Sequence, residues 1–267
     1  MKPVTIASLA AMKRAGEKIT SLTAYDYSFA YLLDRAGIEV IIVGDSLGMV
    51  LQGLENTLPV TLNDVIYHTR CVARGCQRAW IVADMPFMTY QVNREQAIVN
   101  AARAMQEGRA HMVKLEGGEQ IVDTVRFLTE RGVPVCGHIG LTPQAVHQLG
   151  GFKIQGRDSE SAARLRADAQ ALQDAGAGIL ILEAMPSTLA SKISAELNIP
   201  TIGIGAGPHC DGQVLVLHDV LGIYPRPSPK FSKDFMEGQS SIENAVKAYI
   251  AAVRSAEFPG PEHSFDG

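Results

Sequence analysis

Four short apolar runs in this chain each end in an acidic residue, and this pattern limits the fold more than any other feature. The runs cover residues 41–45, 80–84, 111–116 and 179–183. Short runs of branched aliphatic residues between turn signals are typical of strands that are buried on both faces. A carboxylate is costly inside such a strand. The acids therefore predict the carboxyl ends of strands in a parallel α/β barrel, where loops gather and catalytic residues lie.

The run-ending acids also predict a metal site. They are Asp45, Asp84, Glu116 and Glu183. If they converge at one end of a barrel, they form a strongly negative site that needs a bound cation. Alternatively, each is a helix N-cap or a loop acid. However, Thr61 and Asn93 are placed to cap the helices that follow Asp45 and Asp84. Carboxylate oxygens without nearby histidine or cysteine ligands favour Mg²⁺ or Mn²⁺ over Zn²⁺.

Composition excludes several classes of protein. With 46% hydrophobic and 19% charged residues, the chain of 267 residues can bury a large core, so intrinsic disorder is excluded. A net charge of −4 without a dense basic run argues against nucleic-acid binding. No run approaches the roughly 20 apolar residues of a membrane-spanning helix. The four cysteines form no C-x-x-C pair, which indicates reduced thiols in a cytoplasmic protein.

Apolar strand-like runs alternate with amphipathic helical patterns from about residue 18, which predicts βαβ units and a parallel sheet. We predict helix starts at Thr61, Asn93, Ser161 and Ser240, and a helix stop at Gly176. The apolar residues before Lys13 resemble a short secretory leader, but they fit a surface helix equally well. Seven strands are predicted over residues 19–25, 39–45, 80–85, 111–116, 133–139, 178–184 and 200–205.

The position of the eighth strand, which a barrel requires, is the part of the fold that the sequence pattern defines least. Residues 213–217 are the best candidate, yet only residues 208–212 separate them from the seventh strand, whereas a parallel crossover usually needs a dozen residues or more. The same segment also fits a helical face. A doubly wound open sheet therefore remains an alternative. The favoured fold is a (β/α)8 TIM barrel that spans residues 1–267 as one domain, with an N-terminal capping helix and an irregular proline-rich stretch at 224–231.

Three further features have both functional and structural interpretations. Lys114 lies two residues before Glu116, so both side chains face the same side of one strand. It can form a structural ion pair, hold a substrate carboxylate or, less favourably, act as a Schiff-base nucleophile. His138 ends the fifth strand and is either structural or part of the site. The Gly203-x-Gly205-x-Gly207 turn admits close ligand contact or a phosphate, but lacks the dinucleotide-binding spacing.

The chain resembles the ketopantoate hydroxymethyltransferase family over nearly its whole length, because it contains several of the short sequence motifs of that family. They occur in order at residues 23–26, 43–48, 83–87, 113–118, 137–144, 182–183, 203–207, 210–216, 218–219 and 229–231. This family is similar in fold to the phosphoenolpyruvate mutase and isocitrate lyase barrels. The chain departs from many relatives at Met88 and Thr89, which bears on substrate or folate fit.

The resemblance implies a specific chemistry. It implies Mg²⁺ bound through Asp45, Asp84 and Glu116, and Glu183 as the proton acceptor. It also implies 3-methyl-2-oxobutanoate and 5,10-methylenetetrahydrofolate as substrates, pantothenate synthesis as the pathway and a homodecamer as the assembly. The implied substrate contacts are Asp45, Ser46, Asp84 and Lys114, and we add His138 as a possible contact to the keto or new hydroxyl oxygen.

Elementary chemistry agrees with these implications. A 2-oxo acid offers its carboxylate and keto oxygens to a metal, which stabilises the charge of an enolate. A carboxylate base such as Glu183 can remove the C3 proton. The rival enzyme is a lyase or mutase of the isocitrate lyase type, which needs a catalytic cysteine in a Lys-Lys-Cys-Gly-His-like string that this chain lacks. A non-enzymatic barrel is a second alternative, but it has no need of a base.

Overall fold

A computed structural model describes residues 2–266 and shows a closed barrel of eight parallel strands. Each strand pairs with the next in sequence, and the eighth pairs with the first. The predicted barrel is therefore confirmed, and the open doubly wound sheet is wrong. The strands are β1 Ile19–Thr23, β2 Val40–Val43, β3 Trp80–Asp84, β4 Met112–Glu116, β5 Val135–Gly140, β6 Ile179–Glu183, β7 Thr201–Ile204 and β8 Gly212–Leu215.

Eleven α-helices among residues 2–266 surround or cap this barrel. They are α1 Ile6–Ala15, α2 Tyr27–Ala36, α3 Leu47–Val50, α4 Leu62–Gly75, α5 Arg94–Gln106, α6 Val122–Thr129, α7 Val146–Leu149, α8 Ser159–Asp174, α9 Ser187–Glu196, α10 Leu217–Val220 and α11 Ile242–Arg254. Short 3₁₀ turns cover Glu119–Ile121, Pro143–Ala145 and Pro261–His263. Within residues 2–266, no helix has the length and apolar character needed to cross a membrane.

Two predicted helix starts are correct and two are displaced. Thr61 and Asn93 cap α4 and α5, each accepting a backbone N–H three residues later. The start predicted at Ser161 is wrong, because the Asp158 carboxylate caps α8 by accepting the Ser161 N–H at 2.8 Å. The start predicted at Ser240 is also displaced. Its neighbour Ser241 is the residue whose hydroxyl accepts a backbone N–H of α11.

Helix α1 covers the end of the barrel where the strands begin, as the predicted capping helix does. Thr5 caps this helix, and Leu9 buries its side chain completely. Lys13 Nζ lies 2.7 Å from Asp211 Oδ2, immediately before β8. The Val4 N–H donates to the Arg78 carbonyl just before β3. The opposite end, where the strands terminate, therefore stays open for the loops.

The eighth strand closes the barrel through a connection shorter than a normal crossover. Only residues 205–211 join β7 to β8, and they contain no helix. Asp211 fastens this turn, because its carboxylate accepts the Thr201 N–H at 2.8 Å. At Gly212 an added Cβ would lie 2.3 Å from the Ile19 carbonyl oxygen, so only glycine allows this approach. The helical pattern seen in the sequence belongs to α10, which begins two residues after β8 ends.

Candidate active site

Three of the run-ending acids meet at the open end of the barrel. Asp84 and Glu116 are the last residues of the adjacent strands β3 and β4, and Asp45 follows β2 by two residues. One oxygen of each carboxylate lies within 4.8 Å of the other two. All three residues are buried. Parallel pairing aligns the strand ends, so residues far apart in sequence share one small volume.

Lys114 supplies a cation inside this acidic group. Its Nζ lies 2.8 Å from Asp84 Oδ1 and 3.1 Å from Glu116 Oε1. Burial opposes the charged form, but the surrounding carboxylates outweigh it and raise the pKa of Lys114 well above its usual value. A lysine held in its protonated form is a poor nucleophile, so the geometry disfavours a Schiff base. One ammonium group cannot neutralise three carboxylates, so the group of four side chains keeps a net negative charge when all of them are ionised.

Of the three acids, Asp45 is the one that forms no ion pair with Lys114. Burial raises the pKa of Asp45 well above its usual value, and the carboxylates of Asp84 and Glu116 raise it further. For Glu116, burial opposes the charged form, but Lys114 and His138 outweigh it and lower the pKa to about 2. Crowded carboxylates of this kind are relieved by a divalent cation. A buried donor set made only of oxygens fits Mg²⁺ or Mn²⁺.

His138 joins this acidic group to Glu183. Its Nδ1 lies 3.3 Å from Glu116 Oε1, and its Nε2 lies 3.1 Å from Glu183 Oε2. Burial alone would lower the pKa of His138, but these two carboxylates raise it to about 9. The Glu183 side chain is 13% exposed and lines the cavity. A chain of contacts therefore connects the candidate metal ligand Glu116 to the candidate base.

Ser46 lies on the opposite side of Asp45, at the start of α3. Its hydroxyl lies 2.9 Å from the hydroxyl of the buried Tyr25. An added Cβ at Gly44 would lie 2.8 Å from the Ser46 hydroxyl oxygen. A side chain at position 44 would therefore displace the Ser46 hydroxyl from this position. Every residue predicted for the site lines the same cavity.

Gln144 and Tyr90 support the acids but were not predicted. The Gln144 side-chain amide donates to Asp45 Oδ2 at 3.0 Å, and its backbone N–H donates to Glu116 Oε2 at 3.0 Å. The Tyr90 hydroxyl lies 2.8 Å from Gln144 Oε1 and 2.9 Å from the Glu116 carbonyl oxygen. Neither side chain ends an apolar run, so the pattern that located the acids carries no signal for them.

The cavity above these residues is large. It has a volume of about 590 Å³, and its walls are mostly apolar. The proline-rich stretch 224–231 forms part of the wall, and Lys230 Nζ fastens it by donating to the Ser264 carbonyl at 2.7 Å. The glycine turn after β7 makes room for this wall. An added Cβ at Gly205 would lie 2.9 Å from the Phe231 ring.

Comparisons with known proteins identify relatives that match nearly the whole chain. The sequence profile of a family described as ketopantoate hydroxymethyltransferase matches residues 3–261. A 3-methyl-2-oxobutanoate hydroxymethyltransferase from Ralstonia nicotianae is 58% identical over 264 residues, covering 99% of this chain and 96% of its own length. An enzyme of the same name from Paraburkholderia phymatum is 60% identical over 262 residues, covering 98% of this chain and 96% of its own length.

Solved structures support the fold at low sequence identity. A phosphoenolpyruvate phosphomutase from Streptomyces platensis subsp. rosaceus superposes with a TM-score of 0.61 at 16% identity, covering 81% of this chain and 82% of the other. A 2,3-dimethylmalate lyase, described as a member of the PEP mutase/isocitrate lyase superfamily, superposes with a TM-score of 0.58 at 16% identity, covering 83% and 81%. These matches place the barrel among the phosphoenolpyruvate mutase and isocitrate lyase folds.

Proposed function

Because the chain belongs to the ketopantoate hydroxymethyltransferase family, we propose that it transfers a hydroxymethyl group from 5,10-methylenetetrahydrofolate to 3-methyl-2-oxobutanoate. The product is 2-dehydropantoate, an intermediate of pantothenate synthesis. The observation that carries the proposal is the buried group of Asp45, Asp84 and Glu116, which His138 connects to Glu183. A family of transferases and a site suited to enolate chemistry thus point to one reaction.

Each end of the substrate binds next to a positive charge. Asp45, Asp84 and Glu116 would hold Mg²⁺, which supplies Lewis-acid stabilisation for charge on the keto oxygen when it is bound. Lys114 holds the substrate carboxylate by charge-assisted hydrogen bonds, after exchanging part of its contact with Asp84 and Glu116. The Ser46 hydroxyl supports the same carboxylate from the other side. His138 Nδ1 lies 3.3 Å from Lys114 Nζ. We therefore place His138 beside the substrate carboxylate that Lys114 holds, next to the keto oxygen.

Glu183 removes the C3 proton. One oxygen of its carboxylate lies 3.1 Å from His138 Nε2, which leaves the other oxygen to accept the proton. Water first releases the one-carbon unit from the folate as formaldehyde, breaking the bonds to nitrogen and leaving tetrahydrofolate. The enolate carbon then bonds to the formaldehyde carbon, and the formaldehyde oxygen takes up a proton to become the hydroxyl group of the product. The cavity wall beyond Glu183 is apolar, which shields the enolate from bulk water.

The test is exchange of the C3 hydrogen of 3-methyl-2-oxobutanoate in deuterated water, followed by NMR. We expect exchange with protein and Mg²⁺ in the absence of folate, and none after chelation. Adding 5,10-methylenetetrahydrofolate should then yield 2-dehydropantoate. Exchange that continues unchanged in chelator-treated protein, or no exchange under any condition, contradicts the proposal.

A lyase that uses a nucleophilic cysteine is less well supported. Burial raises the pKa of the Cys136 thiol to about 12 and that of Cys210 to about 11, so neither forms a thiolate readily. Cys71 and Cys76 lie on α4 and at its end, and neither lines the cavity. The cysteine content thus favours the transferase over an isocitrate-lyase-type reaction.

We also propose a homo-oligomer, with a decamer as the family's assembly, in the cytoplasm. Exposed aromatic side chains on α2 and α4 support self-association, because Tyr27 and Tyr31 stack at 6.3 Å and Tyr67 is 57% exposed. The four unpaired cysteines support a reducing compartment.

A further inference from the structure

One buried carboxylate in the cavity takes no part in the chemistry above. Asp219 lies on α10, just beyond β8, lines the cavity and is 6% exposed. Within residues 2–266 its side chain makes no hydrogen bond, and no cation lies within ion-pair distance. Burial without a partner raises the pKa of Asp219 to about 6. A carboxylate held in this way is stabilised by a ligand that brings N–H donors.

Apart from Asp84 and His138, which have ion-pair contacts, two other polar groups of the same cavity lack hydrogen-bond partners among the described residues. The Thr57 hydroxyl is buried without a hydrogen bond, and so is the hydroxyl of Tyr224 on the proline-rich stretch. Three unsatisfied polar groups in one cavity are unusual, because buried polar atoms nearly always find a partner. Asp219 marks a part of the cavity outside the acidic group of Asp45, Asp84 and Glu116.

This part lies beside the reaction site but does not overlap it. Strand β1 separates β8 from β2, so Asp219 lies roughly 10 Å around the wall from the metal-binding acids. Burial raises the pKa of Tyr25, and both Asp219 and Asp45 raise it further, which places Tyr25 within electrostatic reach of both. Between the two carboxylates the wall carries the apolar side chains of Ile42 and Val214, together with the Thr23 hydroxyl, which already accepts the Leu217 N–H. The cavity therefore suits a flat ring with a polar far edge.

We infer that Asp219 binds the pyrimidine edge of the tetrahydropterin ring of the one-carbon donor. This inference rests on the proposed function, since the donor is a folate. The 2-amino group and the neighbouring ring N–H are adjacent donors, and a carboxylate can accept both in parallel. The Asp219 contact holds the far edge of the ring against the β8 wall. The methylene group on the near edge then faces Glu183 and the keto acid.

The experiment compares Asp219→Asn with wild-type protein in two assays. Calorimetry measures binding of tetrahydrofolate and of 6-methyltetrahydropterin, which lacks the aminobenzoylglutamate tail. The folate-independent exchange of the C3 hydrogen reports folding and the metal-dependent step. The matched control is Asp168→Asn, a half-buried acid outside the cavity whose pKa burial also raises. The Asp168 carboxylate accepts a hydrogen bond from the Glu119 N–H. The amide oxygen of an asparagine at this position can accept the same bond.

We expect Asp219→Asn to weaken both ligands by at least about tenfold, as the loss of a charge-assisted hydrogen bond predicts. Exchange should remain at the wild-type rate, and Asp168→Asn should bind both ligands normally. Unchanged affinities in Asp219→Asn overturn the inference, as does a loss limited to tetrahydrofolate, because the contact would then involve the tail. If the wild type shows no exchange, the proposed function fails, while calorimetry still tests the pterin contact.

Discussion

The side-chain amide of Gln144 donates a hydrogen bond to Asp45 Oδ2 at 3.0 Å, across 99 positions of sequence. This bond joins the loop after β5 to the loop after β2. The same amide also donates to the Met85 carbonyl at 2.9 Å, so its orientation is fixed from two sides. Gln144 thus holds one candidate metal ligand in place without facing the substrate directly.

Gln144→Ala should weaken Mg²⁺ binding by about 10- to 100-fold, the usual cost of losing a residue that orients a metal ligand. Activity should recover largely at high Mg²⁺ concentration, because the ligand Asp45 remains. Titrating activity and calorimetric binding with Mg²⁺ measures both effects. Gln155→Ala is the matched control, since the side chain of this partly exposed glutamine donates only to the Lys153 carbonyl. An Mg²⁺ affinity equal to that of wild type contradicts the positioning role.

Glu183→Gln should reduce exchange of the C3 hydrogen by about 10²- to 10⁴-fold, because the amide cannot accept the proton. Mg²⁺ binding should be retained, since Glu183 lies outside the acidic group of Asp45, Asp84 and Glu116. The control is Glu196→Gln, an exposed acid that pairs with Arg166. Undiminished exchange in Glu183→Gln would remove this residue as the base.

Lys114→Met should destabilise the metal-free protein by about 3–5 kcal/mol, because it leaves the buried carboxylates of Asp84 and Glu116 without their cation. Added Mg²⁺ should restore part of the loss by replacing the missing positive charge. Urea unfolding with and without Mg²⁺ measures both effects. Lys247→Met removes an exposed pair with Glu243 and should change stability by less than about 0.5 kcal/mol. Equal losses in the two variants would contradict the assigned charge balance.

Stability should depend on Asp219 between about pH 4 and pH 6. The unfolded chain releases this proton near its usual pKa of 3.8, whereas the folded protein keeps it until about 6. Rising pH in this window therefore favours the unfolded state, and the cost stays constant above it. Asp219→Asn lacks this titration, so its advantage over wild type should grow to about 1–2 kcal/mol, allowing for solvent screening. A pH-independent difference in the free energy of unfolding contradicts the unpaired burial of Asp219.

The strand-end acids could be predicted because their chemistry conflicts with their neighbours. A carboxylate such as Asp84 directly after Ile81-Val82-Ala83 cannot be explained by core packing, so its position carried information. Lys114 and Glu116 followed from the alternation of side chains along one strand. The substrates were predicted from the motifs shared with the family, because no pattern of buried residues predicts them.

Other features depended on contacts that one sequence does not reveal. The usual crossover length argues against strand β8, and the contact by which Asp211 holds the short turn is seen only in the three-dimensional structure. Gln144 and Asp219 are ordinary polar residues by sequence. Gln144 is important because it donates hydrogen bonds to two acids, and Asp219 because no group among residues 2–266 donates one to its side chain.

The central claim is that Asp45, Asp84 and Glu116 share one divalent ion, and Mn²⁺ tests it most directly. Crystals grown with Mn²⁺ and 3-methyl-2-oxobutanoate would give an anomalous difference map at the manganese wavelength. We predict one peak per chain, bonded to these carboxylates directly or through one water, with the keto and carboxylate oxygens of the acid in the same coordination sphere. A peak elsewhere, or a substrate bound with no ion among the three acids, would contradict the account.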